Sequence, residues 1–277
     1  MLLALTCFGS CLAWHGCTTP AADRPIELPT RGLCAHRGAM DTHPENTLAA
    51  YREAIRVGAQ MIELDVHMSK DGHLVVMHDP KVDRTTNGSG AIADLTLAEI
   101  RALDAGSHKG EAFRGEKVPT LDEALAVMPR NIWLNIHLKE GENLGARVAA
   151  EVVRAGRLHQ AFLACGAADA QAAREVAAEI LICNMDRDDN GWGYVRNTIA
   201  MGAQFIQLRG HLRPEIADYV AELKKHGVRV NYYGGKNNDD YRTLFGYGVD
   251  FPLVNDIAEA MVLADEQGFA PVRPVYR

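Results

Sequence analysis

Residues 132–165 read IWLNIHLKEGENLGARVAAEVVRAGRLHQAFLAC. The opening run, 132–138, is short and mostly apolar, which predicts a strand. The segment 144–155 has helical periodicity and is followed by Gly156, the residue type that a left-handed helix end favours. A second short apolar run, 161–165, predicts another strand. The same rhythm extends outward in both directions. Candidate strands lie at 32–36, 61–67, 74–78, 132–138, 161–165, 180–183, 204–208, 228–232 and 251–254. Helical patterns at 47–57, 121–128, 144–155, 168–178, 214–226 and 257–265 separate most of them. Thr96 with Glu99 and Thr120 with Glu123 make capping boxes, and Gly58, Gly202 and Gly227 close helices as Gly156 does. Alternation of this kind implies a parallel α/β sheet covered by helices, and eight rounds suit a closed (β/α)8 barrel better than an open sheet. The rhythm breaks at about 80–119, where a turn-rich DRTTNGSG and one short helix near 96–103 read as a small insertion at the barrel mouth.

The chain has 277 residues, 47% apolar and 23% charged, with a formal charge of −7. A single large α/β domain fits that length and needs no disulfide staples. No Lys/Arg run is present to track a nucleic-acid backbone, so nucleic acid is not expected as a partner. Residues 1–22 are expected to be an export signal or lipoprotein leader, and 23–30 a linker. The leader is apolar up to Asp23, and Cys17 after Gly16 resembles a lipidation site, although no Lys or Arg precedes it. The stretch is too short for a membrane span. The expectation is therefore an exported protein (periplasmic, secreted or lipoprotein), with possible membrane anchoring through the leader. Cys7, Cys11 and Cys17 fall in the leader, whereas Cys34, Cys165 and Cys183 read as buried small apolar side chains.

The chemistry is concentrated in residues 34–90. Glu63 and Asp65 lie two apart on a candidate strand and project to one face. Two inward carboxylates repel unless a cation neutralises them; a hard divalent ion or a neighbouring Arg or Lys would serve. His36 and His78 each end a candidate strand, and strand C-termini converge on the catalytic face of a barrel. They read either as a general acid and base or as hydrogen-bonded structural groups. Arg37 and Lys139 read either as phosphate-contacting cations or as surface charges.

The ordered pieces HRG (36–38), PENT (44–47), ELDV (63–66), KDG (70–72), HD (78–79) and RTTNGSG (84–90) resemble the glycerophosphodiester phosphodiesterase family. VPTLDE (118–123), NIHLK (135–139) and GVD (248–250) extend the resemblance over about 31–256. It implies a TIM barrel over 31–277 with a small insertion after the second barrel strand. It also implies hydrolysis of a small glycerophosphodiester to an alcohol and glycerol phosphate. His36 and His78 match the family's acid–base pair, Glu63 and Asp65 two ligands of one divalent metal, and Arg37 and Lys139 its phosphate-contacting cations. Glu45 matches an acid standing behind the ligands, Asn46 and Thr47 a turn and helix cap, and Asp71-Gly72 a tight hairpin turn. Asp79 is expected to orient either His78 or the insertion.

Two departures bear on function. The family usually places Glu, its third metal ligand, where this chain has His137. An imidazole there moves preference from Mg²⁺ or Ca²⁺ toward Mn²⁺ or Zn²⁺, or else it marks a chain that has lost metal and activity. The run VNYYG (230–234) replaces a Trp-Thr-Val-Asn pattern near the substrate mouth. Trp192 and Tyr232 are candidates for its wall or for core packing. Two other readings of the chain are a lyase releasing a cyclic phosphate from lysolipid or sphingolipid, and an exported binding protein with a degenerate metal site.

Overall fold

In the computed structural model of the protein, which describes residues 26–187 and 191–277, the stretch that opened the sequence reading folds into β4 (Trp133–Leu138), α4 (Leu144–Arg154) and β5 (Ala161–Cys165). The two strands are parallel and paired. Before them come β1 (Cys34–Ala35), α1 (Leu48–Arg56), β2 (Met61–Met68), β3 (Leu74–Val76), α2 (Leu97–Ala102) and α3 (Leu121–Val127). After them come α5 (Ala167–Val176), β6 (Leu181–Asn184), α6 (Trp192–Ala200), β7 (Phe205–Arg209), α7 (Glu215–Lys225), β8 (Arg229–Tyr233), α8 (Asn238–Gly246) and β9 (Phe251–Val254). The leader expected at 1–22, with its three cysteines, lies outside the described residues. Among those described, no helix is long and apolar enough to cross a membrane.

Parallel pairing runs β1-β9-β8-β7-β6-β5-β4-β2, and the β1–β2 pair closes the ring. The architecture is therefore an eight-stranded (β/α)8 TIM barrel. Both predicted capping boxes form, at Thr96 with Glu99 and at Thr120 with Glu123. Gly58, Gly156, Gly202 and Gly227 take positive φ after their helices. β3 is not a barrel strand, which corrects the expectation for His78. It runs antiparallel to the protruding end of β2, with Val66 opposite Val76, after a turn at Asp71-Gly72. His78 therefore reaches the mouth on a hairpin that folds back, not at the C-terminus of a parallel strand. Residues 80–119 form the insertion, in which Val82, Ile92, Ile100, Ala105 and Val118 pack with Val75 and Met77 into a small core of their own.

Strand alternation sorts the side chains into two layers. Leu134, Ile136 and Leu138 of β4 face the helices and join the main core, whereas Trp133 points into the barrel. Inside, Trp133, Phe162, Phe205 and Phe251 fill the floor, with Phe162 stacked on Phe205 at 4.0 Å and Arg229 over Trp133 at 5.0 Å. Cys34 and Cys183 belong to this layer, and Cys165 to the outer one; all three are buried free thiols, as expected from their spacing. The linker residues Leu28 and Pro29 seat against the floor, where the Pro29 carbonyl accepts from Trp133 Nε1 at 2.8 Å. An aromatic floor leaves the next layer up for polar groups, and that layer holds the site.

Gly38 connects fold to site. Its φ is +80°, and a Cβ there would come within 2.8 Å of the Ala50 backbone. Gly38→Ala is expected to cost about 1–3 kcal/mol, the usual strain of a side chain held in that region. Denaturant unfolding would read the loss, and an unchanged midpoint would refute the close approach.

Candidate active site

Glu63 and Asp65 follow Met61 on the inward face of β2, and both are buried. The register of β2 with β4 sets Glu63 beside Asn135 and Asp65 beside His137. His137 Nδ1 consequently lies 3.3 Å from Asp65 Oδ1 and 3.7 Å from Glu63 Oε1. One donor atom from each of Glu63, Asp65 and His137 falls within 4.8 Å of the others. Lys139, two residues further along β4, brings Nζ to 2.9 Å from Asp65 Oδ1 and 3.0 Å from His137 Nδ1.

The electrostatics follow from this crowding. Burial pushes Asp65 up, but His137, Lys139 and Arg37 override it and hold the carboxyl well below its ordinary range. Burial pulls His137 down, and the adjacent Asp65 and Glu63 carboxylates more than reverse that. The cluster thus favours positive charge at its centre. Asp65 Oδ1 is buried without a hydrogen bond, although the Lys139 ammonium stands 2.9 Å and His137 Nδ1 3.3 Å from it. A free carboxylate oxygen, a second carboxylate and an imidazole on one face are a donor set that a divalent metal fits.

The turn after β1 supplies the next layer. Arg37 and Asn46 both adopt positive φ, 55° and 57°, a conformation rare outside glycine and often kept at working sites. The bend aims the Arg37 N–H at Glu63 Oε2 (2.9 Å) and its side chain at Glu45 Oε1 (2.8 Å), with Nε 3.5 Å from Asp65 Oδ2. Asn46 Nδ2 donates to Asp65 Oδ2 at 2.8 Å, while its Oδ1 accepts from the Tyr51 hydroxyl at 3.0 Å. Thr47 caps α1, as expected; Asn46 does more than shape the turn, since it fixes a carboxylate.

The two histidines differ in their support. His36 is buried, with Nδ1 2.7 Å from the amide oxygen of Asn255 and its ring 4.9 Å from that of Tyr233. His78 is partly exposed, and its Nδ1 lies 2.7 Å from Asp79 Oδ1. Asp79 also binds Arg84, so it orients both His78 and the insertion. Hydrogen bonding from Arg84 is the main reason the Asp79 carboxyl is held far below its ordinary range. Burial pushes Glu45 up, and Arg84 and Arg37 outweigh it, leaving Glu45 lowered.

Contacts link Arg37, Glu45, Glu63, Asp65, His137 and Lys139 to one another, and His78 joins them through Asp79 and Arg84; His36 precedes Arg37 directly. The structure decides between wall and packing for the two aromatics left open. Tyr232 is buried in the outer core, its hydroxyl donating to the Gly210 and His211 carbonyls, so it is packing and not wall. Trp192 packs edge-to-face on Tyr219, 5.0 Å away, between α6 and α7. Tyr233, one residue on from Tyr232, faces the site instead. Asn255 and the bridging Arg84 are further groups at the site that no sequence expectation named. Alternation along β8 could have flagged Tyr233, whereas Asn255 depends on the ring closing β9 beside β1.

Residues 36–179 match the model of the Glycerophosphoryl diester phosphodiesterase family. A glycerophosphodiester phosphodiesterase of Caldanaerobacter subterraneus subsp. tengcongensis is 48% identical over 124 residues, which cover 44% of this chain and 51% of that protein. The human glycerophosphodiester phosphodiesterase 1 is 51% identical over 94 residues, covering 33% of this chain and 28% of that protein. The chain thus spans about half the length, or less, of these curated relatives. A solved glycerophosphodiester phosphodiesterase from Agrobacterium tumefaciens superposes with a TM-score of 0.72 at 30% identity, over 83% of this chain and 99% of that one. A phosphodiesterase from Oleispira antarctica, solved with the product sn-glycerol-3-phosphate, superposes with a TM-score of 0.73 at 26% identity, over 86% and 97% of the two chains.

Proposed function

The chain belongs to the glycerophosphoryl diester phosphodiesterase family, and from that premise we propose that it is a metal-dependent hydrolase cleaving glycerophosphodiesters to an alcohol and glycerol phosphate. One observation carries the reading: Glu63, Asp65 and His137 present converging donor atoms at the mouth of the barrel, with Arg37 and Lys139 against them. Those three side chains would hold the ion, which when bound supplies Lewis-acid neutralisation of the charge that builds on phosphate oxygens.

The residues of the chain do the rest. Arg37 and Lys139 add fixed positive charge where non-bridging oxygens would lie, and Arg37 Nε has no hydrogen-bond partner of its own. The Nδ1 atom of His36 is held by a neutral amide oxygen, which leaves Nε2 with its lone pair to take a proton from the attacking hydroxyl. That hydroxyl belongs either to water or to the neighbouring glycerol carbon. The Nδ1 atom of His78 is held by the Asp79 carboxylate, which fixes the ring and suits its Nε2 to protonate the departing alkoxide.

Turnover of glycerophosphocholine and glycerophosphoethanolamine by EDTA-stripped protein, reloaded with single divalent metals, tests the proposal. Glycerol phosphate in the phosphorus NMR spectrum is the expected product; a persistent cyclic phosphate would mean a lyase, and silence with every metal would end the hydrolytic reading. His137→Glu is expected to shift both calorimetric metal affinity and turnover toward Mg²⁺ or Ca²⁺ relative to Mn²⁺, since it restores a third carboxylate. Unaltered metal preference would remove His137 from the ligand set.

A further inference from the structure

Arg84 lies in the insertion, outside every group assigned above to proton transfer, phosphate contact or metal. Its guanidinium makes two forked pairs at once. Nε and Nη2 reach Asp79 Oδ2 and Oδ1 at 2.7 and 2.9 Å, and Nη1 and Nη2 reach Glu45 Oε2 and Oε1 at 2.8 and 2.7 Å. Beyond those carboxylates stand the working groups. Asp79 holds His78 Nδ1 at 2.7 Å, and Glu45 Oε1 accepts from Arg37 Nη1 at 2.8 Å. A single planar cation therefore connects the proton-transfer residue on the hairpin leading into the insertion to the phosphate-contacting residue of the barrel.

We propose that Arg84 is a positioning residue that sets His78 and Arg37 in register across the boundary between insertion and barrel, acting through Asp79 and Glu45. Glu45 and Arg37 sit on the turn after β1, whereas His78, Asp79 and Arg84 sit beyond the β2–β3 hairpin. Arg84 joins the two segments by its ion pair with Glu45, and within its own segment it pairs with Asp79. Its side chain is 47% exposed, a setting in which ion pairs add little to folding stability. The insertion is held by its own apolar core as well. The value of the double fork is geometric: lysine, a point charge with no fork, cannot reproduce it.

Arg84 also tempers the negative charge of Asp79 beside His78. Glu45 lines one pocket with His78, Arg37 bonds to Glu45, and His108 of the insertion feels the charges of Glu45 and Arg84; His67 of β2 also stands close. The ring of His67 lies 3.2 Å from the His78 carbonyl. Removing the guanidinium leaves Asp79 a stronger partner for the imidazolium, so the proton affinity of His78 rises.

This inference rests on the proposed hydrolytic function for its kinetic arm but not for its spectroscopic one. The experiment compares Arg84→Met, Arg84→Lys, Asp79→Asn and the Asp79→Asn/Arg84→Met double variant of the full chain. Arg84→Met is expected to lower kcat/KM at least about 10-fold, and Arg84→Lys to recover only part of it. In the Asp79→Asn background, Arg84→Met should cost far less than it does alone, because its route to His78 is already cut. In the substrate-free protein, NMR titration should show the His78 ring binding its proton about tenfold more tightly in Arg84→Met. Wild-type kcat/KM in Arg84→Lys, full multiplicative loss in the double variant, or an unmoved His78 titration would each overturn the assignment. A wild-type protein that turns over no glycerophosphodiester would defeat the functional proposal, while the ring titration still decides the role of Arg84.

Discussion

His78→Ala is expected to lower kcat by about 10²–10⁴-fold with little change in KM, the range for loss of a positioned general acid. The expectation follows from where the imidazole sits. Its side chain is 34% exposed, its Nδ1 is bonded to Asp79, and its carbonyl, which His67 contacts, survives the substitution. The variant therefore has little reason to unfold, and the loss should appear in the rate. His36→Ala should lower kcat by a similar factor, with a stability cost added. His36 is buried, and its removal leaves the Asn255 amide oxygen without its partner, a penalty of about 1–3 kcal/mol. Steady-state kinetics with a thermal melt on each variant separates the two effects. Near-wild-type kcat in both variants would mean that neither histidine moves a proton.

Much of this site could be read from the chain because β-strand geometry is local. Glu63 and Asp65 share a face by simple alternation, and the structure puts both inward. The capping boxes and helix-ending glycines are local too, and they formed where they were expected. The contact between Asp65 and His137 is different, since it depends on β2 pairing with β4 across the whole insertion. Spacing alone could not supply that register; the family resemblance pointed to the position. Period-two geometry also sorts neighbours to opposite faces: Tyr232 faces the helices and Tyr233 faces His36. The left-handed turns at Arg37 and Asn46 were illegible for another reason. Arg does not announce that conformation, and Asn merely tolerates it better than most; both are held there by the partners they bond. The hairpin that carries His78 is not legible, because an apolar run of a few residues does not reveal whether it continues the barrel or folds back on its neighbour.

The second large effect is expected at Asp65, where four neighbours converge. Lys139, His137, Arg37 and Asn46 all lie against its two oxygens. Asp65→Asn keeps the shape but removes the charge, and it places an amide N–H₂ where one set of donors already points. Loss of outer partners of a metal ligand typically weakens binding 10–100-fold, so loss of a ligand carboxylate should exceed about 100-fold. Isothermal titration of Mn²⁺ into EDTA-stripped protein reads this directly, without relying on turnover. The metal-free fold should weaken as well, by about 3 kcal/mol, the low end for breaking a buried ion pair, because Glu45 still holds Arg37 while Lys139 loses its carboxylate. The two readouts separate the possible roles of this residue. A carboxylate that only neutralises Lys139 and Arg37 would show the stability loss with metal affinity within about threefold of wild type, whereas a true ligand must show both.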